Sequence, residues 1–300
     1  CWPPPTRPSW RPRRPAVTCV PPVRPPAVPS MAWLVRRFFD EFPEPDPRVA
    51  HWPLFSSWLW GVAPPVGYLL SVVLLRRFMR TRRAFEVPLW FQALHNLFLV
   101  LLSAYMAYGL FYEAVVVLGY GFVCNPLAEG ERALPLARMV YIFTISKLYE
   151  FVDTWLMIVR KSDRQVTFLH VYHHATIYFV WWVNLRHHPG SEAFQPCFLN
   201  SCVHIIMYAY YFLRTVRPSG NYWWKKFITQ GQIAQFSSFI VQGALIVHYE
   251  CVPFSLGIFN ELYAWTLFLL FANFYVQNYR KAPKARVAGG GDKRRAAKAD

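Results

Sequence analysis

The chain has 300 residues, of which 55% are hydrophobic and 18% aromatic, and it carries a formal net charge of +16. A soluble enzyme of this length needs neither extreme, whereas apolar blocks of about 20 residues separated by basic loops are typical of a multi-pass membrane protein. A nucleic-acid-binding protein is the rival explanation of the charge. It is disfavoured because the basic residues lie in short loops between the apolar blocks.

The two ends of the chain differ from the rest in composition. Residues 1–30 are dense in Pro and Arg and have no apolar period, so we expect them to be disordered or to be translated upstream sequence, since Met31 opens a more ordinary stretch. A Pro-rich ligand for a partner domain is the alternative. Residues 31–281 would form the membrane domain, and residues 282–300, rich in Lys, Arg, Ala and Gly, a flexible basic tail in the cytosol.

Seven apolar blocks predict an all-α integral membrane protein with seven transmembrane helices. The predicted spans are residues 55–75, 87–111, 139–159, 166–185, 197–216, 227–248 and 254–278. Arg and Lys concentrate in the loops after the first, third and fifth spans and in the tail, whereas the other loops are diluted by Glu. By the positive-inside rule the N-terminus is therefore lumenal and the C-terminus cytosolic, which also requires an odd number of spans.

Two cysteines lie in loops that this orientation places in the lumen. Cys124 follows the second span and Cys251 follows the sixth. Because the lumen is an oxidising compartment, we predict a disulfide between them, with free buried thiols as the alternative.

Polar residues inside the predicted spans are costly in a membrane, so each is a functional hypothesis. The third span contains Lys147, Glu150, Asp153 and Thr154; the fourth contains His170, His173 and His174; the fifth contains Asn200, His204, Tyr208 and Tyr211; and the sixth contains Thr229, Gln232 and Gln235. Spacings of three and four place each set on one helix face. A structural ion-pair network is an equal alternative for the charged residues of the third span, and helix association is the alternative for the amides of the sixth.

The depth of these residues in the membrane predicts a shared pocket. At about 1.5 Å per residue, Asp153, His173, Tyr208 and Gln235 all lie roughly 9 to 12 Å from the cytosolic ends of their spans. Four helices would therefore form a pocket entered from the cytosol, with apolar walls continuing towards the lumen. Such a pocket suits an amphiphile with a charged head and an apolar tail.

The HxxHH spacing also occurs in membrane di-iron desaturases and hydroxylases, which makes a metal enzyme the main alternative. Two irons need about eight ligands. Of the nine His, only those of the fourth and fifth spans, with His95 as a fifth, are able to meet. One zinc is arithmetically allowed, but His173 and His174 point about 100° apart on a helix. Without metal, imidazoles beside carboxylates favour nucleophilic or acid–base chemistry, and acyl transfer fits best. A seven-helix transporter or receptor is the non-enzymatic alternative.

Four motifs occur in a fixed order along the chain: KLYEFVDT from Lys147, HVYHH from His170, HIIMYAYY from His204 and TQGQIAQ from Thr229. They match KxxExxDT, HxxHH, HxxMYxYY and TxxQxxQ of the ELO family of very-long-chain fatty acid elongases, which the chain resembles from about residue 31 to residue 281. The stretch NLRHHPGSEAF is similar to algal and plant-like members that act on polyunsaturated chains.

This resemblance implies an acyltransferase, a very-long-chain 3-oxoacyl-CoA synthase of the endoplasmic reticulum membrane. It would condense a long-chain, polyunsaturated acyl-CoA with malonyl-CoA to 3-ketoacyl-CoA, carbon dioxide and CoA, the first step of the elongation cycle, with no bound cofactor or metal. Six of the seven helices would ring an acyl-chain tunnel. The implied partners are membrane lipid and the ketoreductase, dehydratase and enoyl reductase of the cycle; a homodimer is left open, and nucleic acid is not expected.

The resemblance also implies roles for individual residues. His173 would be the acyl-accepting nucleophile, with His204 near the transferred carbon. The supporting catalytic residues are His170 and His174, which position or polarise, Glu150 and Asp153, which orient imidazoles, and Lys147 and Asn200, which hold the cluster or thioester. The substrate-binding residues are Tyr208, Tyr211, Thr229, Gln232 and Gln235, with Arg160, Lys161, Lys225 and Lys226 for the CoA phosphates. Positive-inside topology alone would also explain those four basic residues.

Overall fold

The computed structural model describes residues 30–280. The predicted N-terminal segment, apart from Ser30, and the predicted C-terminal tail lie outside the described residues. The chain divides into two compact units, one ending at Asp40 and the other beginning at Glu41.

Between residues 30 and 280 the secondary structure is helical, with no strand. The α-helices of this part of the chain are α1 (Met31–Asp40), α2 (Trp58–Met79), α3 (Leu89–Phe111), α4 (Leu134–Tyr149), α5 (Phe151–Val159), α6 (Phe168–His187), α7 (Phe194–Val216), α8 (Lys225–His248) and α9 (Phe254–Tyr275). The helix α1 forms the first unit, with an i,i+4 ion pair of 3.3 Å from Arg36 Nε to Asp40 Oδ2.

The prediction of an all-helical membrane protein is confirmed. Among the described residues, four helical stretches are long and apolar enough to cross a membrane: Trp58–Met79, Leu89–Val117, Ser191–Val216 and Phe254–Tyr279. Their outward faces carry exposed aliphatic side chains, such as Leu59 and Leu101, which suit contact with lipid. Helices also occupy the other three predicted segments, whose polar motifs lower their hydropathy. That all seven segments cross the membrane stays a prediction.

The third predicted span differs from the expectation of one continuous helix. It begins at Leu134, five residues earlier than predicted, and it is interrupted at Glu150, which lies between α4 and α5. The Asp153 amide bonds Glu150 O at 3.2 Å, an i→i+3 contact that tightens this turn. The interruption occurs in the middle of the KLYEFVDT motif.

Helix packing places α6 in the centre of the second unit. It lies against α2, α4 and α9, while α3 lies along α7 and α8 along α9. Trp182 of α6 is fully buried, and an added Cβ at Gly61 of α2 would lie 2.7 Å from its ring. Only glycine permits this close approach of the two helices.

Cys124 and Cys251 are joined by a disulfide, with their Cα atoms 4.8 Å apart. We call this end of the second unit the disulfide end. Residues 41–57 pack here and are fixed by side chains of α6: Trp182 Nε1 donates to Leu54 O at 2.7 Å, and the Arg186 guanidinium donates to Phe55 O. The opposite end, formed by residues 80–88, 160–167 and 217–224, is the basic end.

Candidate active site

A cavity of about 800 Å³ lies towards the basic end and brings the four motifs together. The predicted site residues that line it are Glu150, Asp153, His170, His173, His174, Asn200, His204, Tyr208, Tyr211, Thr229, Gln232 and Gln235, together with Arg160 and Lys225. They come from α5 and the residue after it, α6, α7, α8 and the turn at Glu150, so the separate helix faces predicted from spacing do converge in the structure.

The Glu150 carboxylate forms the first of two networks in this cavity. Its Oε1 accepts a hydrogen bond of 2.7 Å from Lys147 Nζ and lies 3.5 Å from His204 Nδ1. Lys147 also donates to Asn200 Oδ1 at 3.2 Å. Lys147 and Glu150 are 0% and 1% exposed, so each charge depends on the other within the membrane protein interior. The Glu150 carboxylate, which Lys147 fixes, is therefore placed beside His204.

The Asp153 carboxylate forms the second network. Its Oδ1 lies 2.7 Å from His95 Nε2, and its Oδ2 accepts a hydrogen bond of 2.8 Å from the Tyr208 hydroxyl. His95 Nδ1 lies 3.2 Å from the Tyr149 hydroxyl. The ring of Tyr208 packs edge-on against that of His204, with centroids 5.5 Å apart. The two networks therefore meet at His204.

The three imidazoles of the HVYHH motif have different surroundings. His170 Nε2 lies 2.8 Å from Thr154 Oγ1, which is 2.9 Å from the Tyr68 hydroxyl. His174 Nδ1 is buried without a partner, and its ring lies 4.4 Å from that of His170. For His173, no side-chain hydrogen bond is found within the described residues. His174 likewise has no side-chain hydrogen bond within residues 30–280, but it is buried, whereas His173 is partly exposed.

A second cavity, of about 110 Å³, continues from the first towards the disulfide end. Four residues line both cavities: His173, Asn200, Gln235 and Phe236. Beyond them the walls are mainly apolar and include Ile177, Trp181 and Leu267. The imidazole of His173 therefore lies where the larger, more polar cavity meets the smaller apolar one.

Three residues from the sequence-based site line neither cavity. Lys147 is enclosed by Glu150, Asn200 and the ring of Phe143, 4.2 Å from Nζ. Lys161 and Lys226 are exposed, and Lys226 lies over the ring of Phe227 instead. These two were predicted from charge near a loop, which does not specify the direction of the side chain.

Four residues of the site were not among the predicted site residues. Arg164 and Arg214 line the large cavity together with the expected Arg160 and Lys225. His95 reaches Asp153, and Tyr68 reaches Thr154, from helices that carry none of the four motifs. A buried ionisable residue in a span was the one available signal for His95.

The arrangement of ligating side chains bears on the metal alternative. Within residues 30–280, no group of three His, Cys, Asp or Glu side chains is placed to hold a metal ion. Two imidazoles instead pair with carboxylates, His95 with Asp153 and His204 with Glu150, as in sites that transfer protons or acyl groups.

The fold and site thus define a helical membrane protein with a polar, histidine-lined cavity joined to an apolar one. A family model described as ELO, the GNS1/SUR4 family, matches residues 53–287. Very long chain fatty acid elongase 2 of Mus musculus is 40% identical over 253 residues, covering 83% of this chain and 86% of that protein. Elongase 5 of Mus musculus is 39% identical over 257 residues, covering 83% and 84%.

The chain belongs to the ELO family of very-long-chain fatty acid elongases. It is a multi-pass membrane acyltransferase of fatty acid elongation and catalyses the condensation step, with acyl-CoA and malonyl-CoA as substrates and no bound cofactor. The family match decides for an elongase and against the desaturase and transporter alternatives.

Proposed function

We propose that the chain elongates polyunsaturated acyl-CoA in the endoplasmic reticulum, by transferring the acyl group through His173. The position of His173, uncommitted and at the junction of the two cavities, is the observation that carries the proposal. The acyl chain would occupy the apolar cavity as a closed tunnel, and the CoA portion the large one. The thioester carbonyl then lies between them, beside the imidazole.

The proposed reaction has two steps. The His173 nitrogen attacks the thioester carbonyl, and the carbon–sulfur bond breaks, so that an acyl-imidazole forms and CoA leaves with a proton. Malonyl-CoA then loses carbon dioxide, and its α-carbon attacks the acyl group and displaces the imidazole, which takes up one proton from water, to give 3-ketoacyl-CoA. His204, oriented by Glu150, would act beside the transferred carbon, with Asn200 next to the thioester.

The remaining binding roles follow from position. His170, held by Thr154, and His174 would keep the carbonyl in place, while Tyr208, Tyr211, Thr229, Gln232 and Gln235 form the substrate wall. Arg160 and Lys225 line the cavity near its basic end and would bind the CoA phosphates, together with Arg164 and Arg214. Lys161 and Lys226 would act only through the surrounding field.

The topology is part of the proposal. All seven predicted spans would cross the membrane, six of them around the tunnel, with the disulfide end in the lumen and the basic end in the cytosol. The cytosolic entrance would admit CoA substrates and release product to the ketoreductase, dehydratase and enoyl reductase of the cycle. A homodimer is compatible with this arrangement. Protease protection of N- and C-terminal tags in sealed microsomes tests the orientation.

The decisive experiment supplies purified protein with acyl-CoA alone. We expect the wild type to release about one CoA per protein molecule, and the His173→Ala variant to release none, because no acyl acceptor remains. His51→Ala, at an exposed position outside the cavities, is the matched control. Full CoA release by the His173→Ala variant would refute the proposal that His173 is the nucleophile. Products from a host fed assorted saturated and polyunsaturated fatty acids test the substrate preference.

A further inference from the structure

His95 is the buried imidazole of the site that lies outside the four motifs. It lies on α3, is 4% exposed and lines the large cavity. An ionisable side chain at this depth is expensive unless it is paired. Its two ring nitrogens face Asp153 and Tyr149, from α5 and α4.

One tautomer satisfies every atom of this contact. With the proton on Nε2, His95 donates to Asp153 Oδ1 and accepts from the Tyr149 hydroxyl at Nδ1. We assign this tautomer from the hydrogen-bond network. The Tyr208 hydroxyl donates to the other oxygen of Asp153. A continuous chain of hydrogen bonds therefore runs from Tyr149 through His95 and Asp153 to Tyr208.

This series of hydrogen bonds ends at Tyr208, beside the imidazole of His204. Tyr208 packs its ring against that of His204, whose Nδ1 lies 3.5 Å from Glu150 Oε1. Asp153 is thus the carboxylate that fixes Tyr208, and His95 is its second donor. Both nitrogens of His95 are engaged, in contrast to His173, so its geometry suits holding rather than attacking.

We propose that His95 is a positioning residue for the condensation reaction, acting through Asp153 on Tyr208 and His204. The proposal rests on the function proposed above. Loss of the Nε2 donor would leave Asp153 with Tyr208 alone and free the carboxylate to rotate into the cavity. The cost would fall on the chemical step, because His95 pairs with Asp153 and Tyr149 and with none of the basic residues proposed to bind CoA.

Two amides at this position separate the proposal from a purely structural role. The amide nitrogen of Gln reaches approximately the place of Nε2 and is able to donate to Asp153, whereas that of Asn reaches only the place of Nδ1. Asn and Gln are both polar, and neither side chain is larger than that of His. Steady-state kinetics of purified His95→Gln and His95→Asn, with both substrates varied, gives kcat and KM for each.

We expect His95→Asn to lower kcat by about tenfold to a hundredfold, as is usual for a lost supporting hydrogen bond, and His95→Gln to stay within about fivefold of wild type. KM for acyl-CoA and malonyl-CoA should change by less than about threefold in both variants, because losing an interaction made only in the transition state lowers kcat and kcat/KM equally. In an Asp153→Asn background, His95→Asn should cause no additional loss.

Three outcomes would overturn the proposal. They are equal kcat in the Asn and Gln variants, a rise in KM without a fall in kcat, and an Asn variant that fails to fold while Gln is fully active. Ser103→Ala, a buried position on the same helix, is the control for disturbance of α3. A wild-type protein that elongates no acyl-CoA would instead refute the proposed function, which keeps the two failures apart.

Discussion

The large cavity and the disulfide end use polar side chains in different ways. Among the motif residues around the cavity, the side-chain hydrogen bonds join side chain to side chain, as between Glu150 and Lys147 or Asp153 and Tyr208. At the disulfide end, side chains mostly bond backbone atoms, as Trp182 does to Leu54 O. The first arrangement fixes ionisable groups relative to one another, and the second fixes the path of the chain. We therefore expect changes in the cavity to affect rate and changes at the disulfide end to affect stability.

Lys147 is the exception to this division, because its substitution should lower both stability and catalytic rate. Lys147→Met leaves Glu150 buried without a positive partner, and removing one member of such a pair costs about 3–5 kcal/mol. Activity should fall as well, by about a hundredfold, because Glu150 no longer holds His204. Thermal unfolding and a condensation assay on the purified variant measure the two effects.

The double variant Lys147→Met/Glu150→Gln is the control. Neutralising both partners removes the uncompensated charge, so stability should return towards wild type while activity stays low. If activity returned together with stability, the pair would have a structural role alone.

The convergence of the cavity residues was predictable, because residue spacing gives the helix face of each side chain and position within a span gives its depth in the membrane. Spacings of three and four put His170, His173 and His174 on one face, and about 1.5 Å per residue put His173 level with Asp153 and Tyr208. The Cys124–Cys251 pairing was predicted from orientation and compartment, and the structure contains the same pair.

Other features depend on contacts that spacing does not encode. His95 is one residue on an apolar helix, and its partner Asp153 is 58 positions away in sequence. The interruption at Glu150 depends on the local backbone conformation, whereas the sequence pattern there favours a continuous helix. Phe55 was predicted to open the first span, but it lies before α2 and is fully buried, with its carbonyl oxygen bonded by the Arg186 guanidinium of α6.

Removing the disulfide should affect stability and leave the rate of the reaction largely unchanged. The bond closes a separation of 127 residues, and Cys124→Ser/Cys251→Ser should lower the free energy of unfolding by about 2–4 kcal/mol. Because the bond lies away from the large cavity, kcat should remain within about twofold of wild type at temperatures where the variant is folded.

Thermal unfolding of detergent-solubilised protein, followed by kinetics at low temperature, separates these effects. Cys202→Ala changes a free cysteine and serves as the matched control. A loss of kcat in the folded double variant would contradict the division between the two regions.

The smallest expected effect is at Asp46, in the segment fixed at the disulfide end. Burial alone would raise the pKa of its carboxyl, but hydrogen bonds from the Arg48 side chain and backbone, with the Arg48 charge, hold the pKa below its ordinary value of 3.8. Arg48 Nη2 lies 2.6 Å from Asp46 Oδ2, and Arg48 Nη1 donates to Ala128 O at 2.6 Å. The pair therefore links residues 41–57 to the loop that contains Cys124.

Asp46→Asn should lower the unfolding temperature by only a few degrees at neutral pH, because partly exposed ion pairs contribute about 0–1 kcal/mol. A carboxyl whose pKa is lowered by folding contributes stability above its unfolded pKa and loses it as pH falls through the folded value. The difference between wild type and Asp46→Asn should therefore be constant from about pH 7 to about pH 5 and shrink below about pH 4. Thermal unfolding across this range measures it, and a difference that grew on acidification would contradict the assignment of the lowered pKa to Arg48.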